Sequence, residues 1–183
     1  FSLTLAASAT SAQGATTAAS LGASASDPLN ALGDTVMAGV QATLGFAGTA
    51  ATWPSYLAVD LMTMDYGSAN ASVCVVSSGA CDMGQSALQA AYDLHDKWGV
   101  PYARIELTPM IGQNDTKSEP LTLGNVDTIA AFALAKGLAG VHYWSYDRDT
   151  DCAAGKASST CNSMGAGYAG AYGYLTRFVH DGL

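Results

Sequence analysis

Four times in succession the chain runs through a short apolar stretch, a loop and a helical pattern, and this alternation most narrows the folds open to it. The apolar stretches are Phe1–Leu5, Leu57–Tyr66, Ala103–Ile111 and Gly140–Tyr146. Leu57–Tyr66 is almost continuously apolar, as a strand buried on both faces of a parallel sheet must be. Helical spacing follows each strand. After a stretch from about Ala6 to Ser26 rich in Ala, Ser, Thr and Gly, Asp27-Pro28 suits an N-cap and first helical position, and Leu29, Leu32, Val36, Met37, Val40 and Leu44 make one apolar stripe. Met83–Trp98 and Val126–Lys136 follow the second and third strands, ending at Gly99-Val100-Pro101 and at Gly137. About Tyr168–His180 forms the last helix. Strand–helix alternation of this kind implies α/β architecture with parallel strands and right-handed crossovers. A doubly wound sheet and a (β/α)8 TIM barrel both satisfy it; no Gly-rich phosphate turn follows any strand, which weakens the dinucleotide-binding version. A complete barrel takes about 250 residues, so four units in 183 residues are about half of one.

Charge removes several function classes. Seven Lys+Arg in a chain of net charge −8 argue against a nucleic-acid partner, because phosphate binding needs clustered cations. No stretch approaches the roughly 20 apolar residues of a membrane helix. The four cysteines form two close pairs, Cys74 with Cys81 and Cys152 with Cys161. Neither pair has CxxC spacing and no histidine flanks them, so no metal site or cofactor is expected. Two local disulfides are the better reading, and they place the protein in an oxidising, extracellular setting as a secreted chain. Asn70-Ala-Ser72 and Asn114-Asp-Thr116 are glycosylation sequons of low specificity.

In both candidate architectures function sits at the C-terminal ends of the strands. Three strand ends, Met64-Asp65-Tyr66-Gly67, Pro109 to Asp115 and Tyr143 to Asp149, combine aromatic, thioether, amide and carboxylate groups. That mixture suits a sugar: ring C–H faces pack on an aromatic plane, and hydroxyl or acetamido groups need polar partners. Met62, Met64 and Met110 supply adaptable apolar walls.

With those residues in view, Val59-Asp60-Leu61-Met62-Thr63-Met64-Asp65-Tyr66-Gly67 resembles the sixth-strand signature of family 18 glycoside hydrolases, the chitinases. Ile105-Glu106-Leu107-Thr108-Pro109-Met110-Ile111-Gly112-Gln113-Asn114-Asp115 resembles the seventh strand of a bacterial-type branch, and Gly140-Val141-His142-Tyr143-Trp144-Ser145-Tyr146-Asp147-Arg148-Asp149 the eighth. Phe1–Leu5 then falls at the fifth. The resemblance covers roughly Leu57–Val179; 6–54 matches loosely, as a long loop and helix insertion, and 1–183 as a whole corresponds to the C-terminal half of the barrel. It implies hydrolysis of β-1,4-linked N-acetylglucosamine polymers, with chitin or chito-oligosaccharide as the partner, by a substrate-assisted retaining mechanism. It assigns Asp65 to orienting the acetamido group, Trp144 to the floor under the sugar, and Met62 and Met110 to the cleft; Gln113, Asn114 and Asp115 lie in a loop, open to substrate contact and to turn-making alike. The family's acid Glu belongs to an Asp-x-x-Asp-x-Asp-x-Glu motif on the fourth strand, which is absent here. It is expected on a missing N-terminal barrel half or a partner chain. Many members carry Tyr where this chain has Met64; Tyr66 has the same strand parity and is the available substitute.

Two further readings stand beside this one: a non-catalytic carbohydrate-binding or inhibitor relative on the same barrel, and an unrelated α/β domain whose motifs match by chance. At the residue level, His142 is expected to be a satisfied core histidine, Glu106 to point at a helix, and Asp147-Arg148-Asp149 to be a salt-bridge cluster pinning the last loop.

Overall fold

The structure, a computed structural model, describes residues 1–7 and 31–183. The expected helix start at Asp27-Pro28 lies outside the described residues. The elements are β1 (Ser2–Ala6), α1 (Ala31–Leu44), β2 (Ala58–Met62), β3 (Val76–Ser77), β4 (Ala80–Cys81), α2 (Met83–Trp98), β5 (Ile105–Thr108), α3 (Leu123–Lys136), β6 (Gly140–Val141) and α4 (Gly173–His180).

β1, β2, β5 and β6 form one sheet in that order, every pairing parallel. Neighbouring strands are therefore consecutive units of the chain, with no reversal of order. Leu3, Leu5, Val59, Leu61, Ile105, Leu107 and Val141 share one apolar cluster with Met37 of α1, Leu94 of α2, Ile129 of α3 and Phe178 of α4. All four helices thus cover the same, odd-numbered face. Tyr143, of the same parity, stacks on Phe178 at 6.0 Å and 10°. A doubly wound sheet would reverse its strand order and carry helices on both faces; the described strands follow one another in one direction, with the described helices on one face.

The other face carries Ser2, Thr4, Asp60, Met62, Glu106, Thr108 and His142, and no helix of the described residues covers it. Two expectations are corrected here. Glu106 does not point at a helix: its carboxylate accepts the Ser2 hydroxyl at 2.6 Å and lies 3.9 Å from His142 Nε2 on the uncovered face. His142, 57% exposed, is not in the core.

Local chemistry explains the element ends. Asp82 caps α2 by accepting the Gln85 N–H, and its carboxylate also takes the Asn125 amide, tying α2 to α3. Thr122 and Asn125 form a reciprocal capping box, so α3 starts three residues before the expected Val126. Gly99 and Gly137 end their helices in the left-handed region. The strands are shorter than the apolar runs, because the chain leaves the ladder to build strand-end loops: Asp65 already has φ +51°. α4 begins at Gly173 rather than Tyr168, and Asp149 supplies the cap from elsewhere in the chain, accepting the Tyr174 and Leu175 N–H groups at 2.9 and 2.8 Å.

Both expected disulfides are formed. Cys74–Cys81 closes across the β3–β4 hairpin, whose Ser78-Gly79 turn has two left-handed residues. Cys152–Cys161 staples the loop between β6 and α4. Replacing Cys152 and Cys161 together by serine is expected to cost about 2–3 kcal/mol, the scale for closing so short a loop, with urea midpoints as the measurement. No helix of the described residues is long and apolar enough to cross a membrane.

Candidate functional site

The C-terminal edge of the sheet is built from three strand-end loops that grip one another. After β2 the chain turns through Asp65 and Gly67, both at positive φ. The loop after β5, residues 112–121, holds that turn at three points. The Asp65 N–H donates to Asn114 Oδ1 at 3.2 Å, the Asp115 N–H donates to Asp65 Oδ1 at 2.9 Å, and the Tyr66 N–H donates to Glu119 Oε2 at 2.8 Å. Asn114 is fully buried and spends its amide N–H groups on the Met110 and Gly112 carbonyls. Its role is to join two loops, and its sequon is inaccessible in the fold. Gln113, also buried, donates to the Asn114 and Thr116 carbonyls.

The loop after β6 is anchored by Arg148. Its side chain, 1% exposed, donates to the carbonyls of Ile111, Gln113 and Ser158. The expected Asp147-Arg148-Asp149 salt-bridge cluster is absent among the described residues. Arg148 binds backbone, Asp149 caps α4, and Asp147 is exposed. The pinning is real, but its acceptors are carbonyls, which a charge pattern does not reveal.

On this frame Trp144 and Met110 sit side by side through a parallel bridge, with the Trp144 N–H on the Pro109 carbonyl and the Ile111 N–H on the Trp144 carbonyl, both at 2.9 Å. Trp144 is 57% exposed while Met110 is 5% exposed. Trp144 is therefore an open aromatic plane on a braced backbone and is not part of the buried core. Met62 lies on the uncovered face and Met64 just past it, both partly exposed. Asp65 is exposed, and only its Oδ1 is engaged by the hydrogen bonds above. Burial nonetheless raises its carboxyl above the ordinary value, and the Asp115 carboxylate adds to the rise. The Asp115 N–H and the Arg148 guanidinium oppose it.

Tyr66 differs from its expectation. Its ring packs against the core, its hydroxyl is buried without a partner, and burial pushes its pKa far up. With its hydroxyl sealed in the core, it does not stand in for a tyrosine at position 64. Sequence reasoning gave Arg148 a pinning role but missed its carbonyl partners, and it missed Glu119 as a holder of the Asp65 turn. Glu119 had no visible signal, since it lies in a polar loop with no periodicity.

A cleft of about 730 Å³ lies beside this surface, lined by Gln113, Asn114, Asp115, Lys117, Lys156 and Met164 among others. It shares Asn114 and Asp115 with the Asp65 turn but does not include Trp144. No group of three or more His, Cys, Asp or Glu among the described residues is arranged to hold a metal ion.

No family model matches the chain, and no curated protein matches it. Solved structures do. The catalytic domain of a hyperthermophilic chitinase from Pyrococcus furiosus superposes with a TM-score of 0.63 at 20% identity, over 99% of this chain and 50% of that one. The fold is that of a chitinase catalytic domain over half its length. Catalytic-site mutants of active domain 2 of the thermostable Pyrococcus furiosus chitinase, complexed with chito-oligosaccharides, give a TM-score of 0.62 with the same identity and the same coverage. The chain therefore spans about half the length of the structures it matches.

Proposed function

We propose that this chain is the C-terminal half of a (β/α)8 glycoside hydrolase of the chitinase type, supplying strands five to eight. The completed barrel hydrolyses β-1,4-linked N-acetylglucosamine polymers. The observation that carries the reading is Trp144: an open aromatic plane at the C-terminal end of a one-way parallel sheet whose even-numbered face no helix of the described residues covers. In a closed barrel that face is the interior, and its strand-end rim is where substrates bind. The uncovered polar face and the outer edges of β1 and β6, unpaired among the described residues, support closure by a further set of strands, because such edges call for a partner.

The roles follow from position. Trp144 stacks under the sugar ring at the cleavage point, with Met62, Met64 and Met110 shaping the apolar wall. Asp65, carrying an oxygen free of the loop contacts, orients the substrate's acetamido group so that its carbonyl oxygen attacks the anomeric carbon. A glutamic acid from the N-terminal half protonates the departing glycosidic oxygen. The cyclic intermediate is then opened by water on the same face, so configuration is retained. Tyr66 being turned into the core leaves Asp65 as the principal acetamido partner on this strand. The extracellular setting rests on the two disulfides. The test is hydrolysis of N-acetylated chito-oligosaccharides by the full-length protein; complete inactivity in a folded sample rejects the enzymatic reading.

A further inference from the structure

Glu119 is fully buried, yet no ion pair reaches it among the described residues. Its Oε2 accepts the Tyr66 N–H, while its Oε1 is buried without a hydrogen-bond partner, as is the Tyr66 hydroxyl in the same cluster. Two other carboxylates act on it, those of Asp65 and Asp115, and the Arg148 guanidinium acts on both of these. Arg148 is itself committed to three backbone carbonyls. An ionised Glu119 would be a buried charge with one oxygen unsatisfied and no ion pair among the described residues, a costly state that a retained proton relieves. One proton therefore stays in the cluster. Asp65 and Asp115 are exposed to water and Glu119 is not, so Glu119 is where the proton costs least. Burial raises the Glu119 carboxyl, and Asp65 and Asp115 reinforce the rise against the N–H donors of Tyr66 and Gly67.

We propose that Glu119 is a positioning residue that works as the neutral acid: it holds the left-handed turn at Asp65–Gly67, and so leaves Asp65 as the ionised, ligand-facing member of the cluster. The role assigned to Asp65 rests on the function proposed above; the protonation of Glu119 does not.

The experiment compares the full-length protein with Glu119→Gln and Glu119→Ala. Gln mimics the neutral acid and keeps an oxygen for the Tyr66 N–H. Linkage fixes the sign. A carboxyl whose folded pKa is raised favours the fold while protonated, and that contribution is lost as pH rises through the folded value. The stability of Glu119→Gln relative to the parent should therefore grow with rising pH. An infrared band of a protonated carboxyl at neutral pH should vanish in the variant, and the Asp65 titration followed by carbon NMR should stay in place, since neutral replaces neutral. In Glu119→Ala the Tyr66 N–H should exchange at least tenfold faster, and hydrolysis should fall at least tenfold while Glu119→Gln stays within about threefold of the parent. No acid band, a stability difference that shrinks with pH, or a downward shift of the Asp65 titration in Glu119→Gln overturns the proposal. If the spectroscopic results hold and the parent shows no hydrolysis, the enzymatic reading fails while the protonated, turn-holding Glu119 stands.

Discussion

Replacing Trp144 by alanine in the full-length protein is expected to weaken chito-oligosaccharide binding about 30-fold while leaving the melting temperature nearly unchanged. The magnitude follows from the roughly 2 kcal/mol lost when an aromatic anchor is truncated, at a factor of ten per 1.4 kcal/mol. The pairing of the two outcomes separates a platform from a core residue. A buried tryptophan cut to alanine costs about 3–5 kcal/mol of stability, whereas Trp144 is 57% exposed and leaves no cavity behind. Its backbone bridge to Met110 does not depend on the indole. Titration calorimetry with a chito-oligosaccharide and a thermal melt of the same samples decide it. Unchanged binding removes Trp144 from the site, and a large loss of stability assigns it to the core.

Gly112→Ala is expected to be the most damaging single substitution at the site, costing about 3 kcal/mol or more, or preventing folding altogether. Gly112 has φ +71°, and a Cβ placed there would meet the Asn162 carbonyl oxygen at 2.2 Å and its Cα at 2.8 Å. The obstacle is backbone, fixed by the Gln113 N–H donating to the same carbonyl at 2.8 Å, so no side-chain rotation relieves it. Displacing it would separate the loop carrying Asn114, Asp115 and Glu119 from the disulfide-stapled loop after β6. Gly137 is a contrasting control: it also has positive φ, but open space surrounds a Cβ there. Gly137→Ala should therefore cost only about 1 kcal/mol from the left-handed backbone. Equal effects at the two positions would show that conformation, and not the close approach to Asn162, makes Gly112 necessary.

The strand–helix alternation, three of the helix ends and both cysteine pairs were legible because each rests on a local rule: apolar periodicity, a glycine just past a helix, an even count of closely spaced cysteines. What was not legible depends on which way a strand faces. The sequence directs Glu106 toward a helix and His142 into the core only by default, since polar residues on a strand give no clue to which face the helices will cover. The answer comes from the one-way winding, which packs the odd-numbered residues of β5 and β6 against the core and leaves these two on the open face. Tyr66 failed for a related reason. Strand parity holds only while the ladder continues, and the chain leaves it before Asp65, so counting by twos no longer says where the ring goes. Arg148 looked like the centre of a charge triplet, yet its partners are carbonyls more than 30 residues earlier and in the stapled loop. Glu119 lay unmarked in a polar loop, although three dimensions make it the buried floor of the Asp65 turn.

The central claim is that this half-length sheet completes a substrate-assisted, chitinase-type barrel. It is tested most directly by proton NMR of the products formed when the full-length protein acts on an N-acetylated chito-oligosaccharide, with the de-N-acetylated oligosaccharide as a parallel substrate. The account predicts that the acetylated substrate is cleaved to a product that first appears as the β-anomer, and that the de-N-acetylated one, lacking the attacking carbonyl, is left intact. An α-anomer as first product, equal cleavage of both substrates, or no cleavage of either would contradict it.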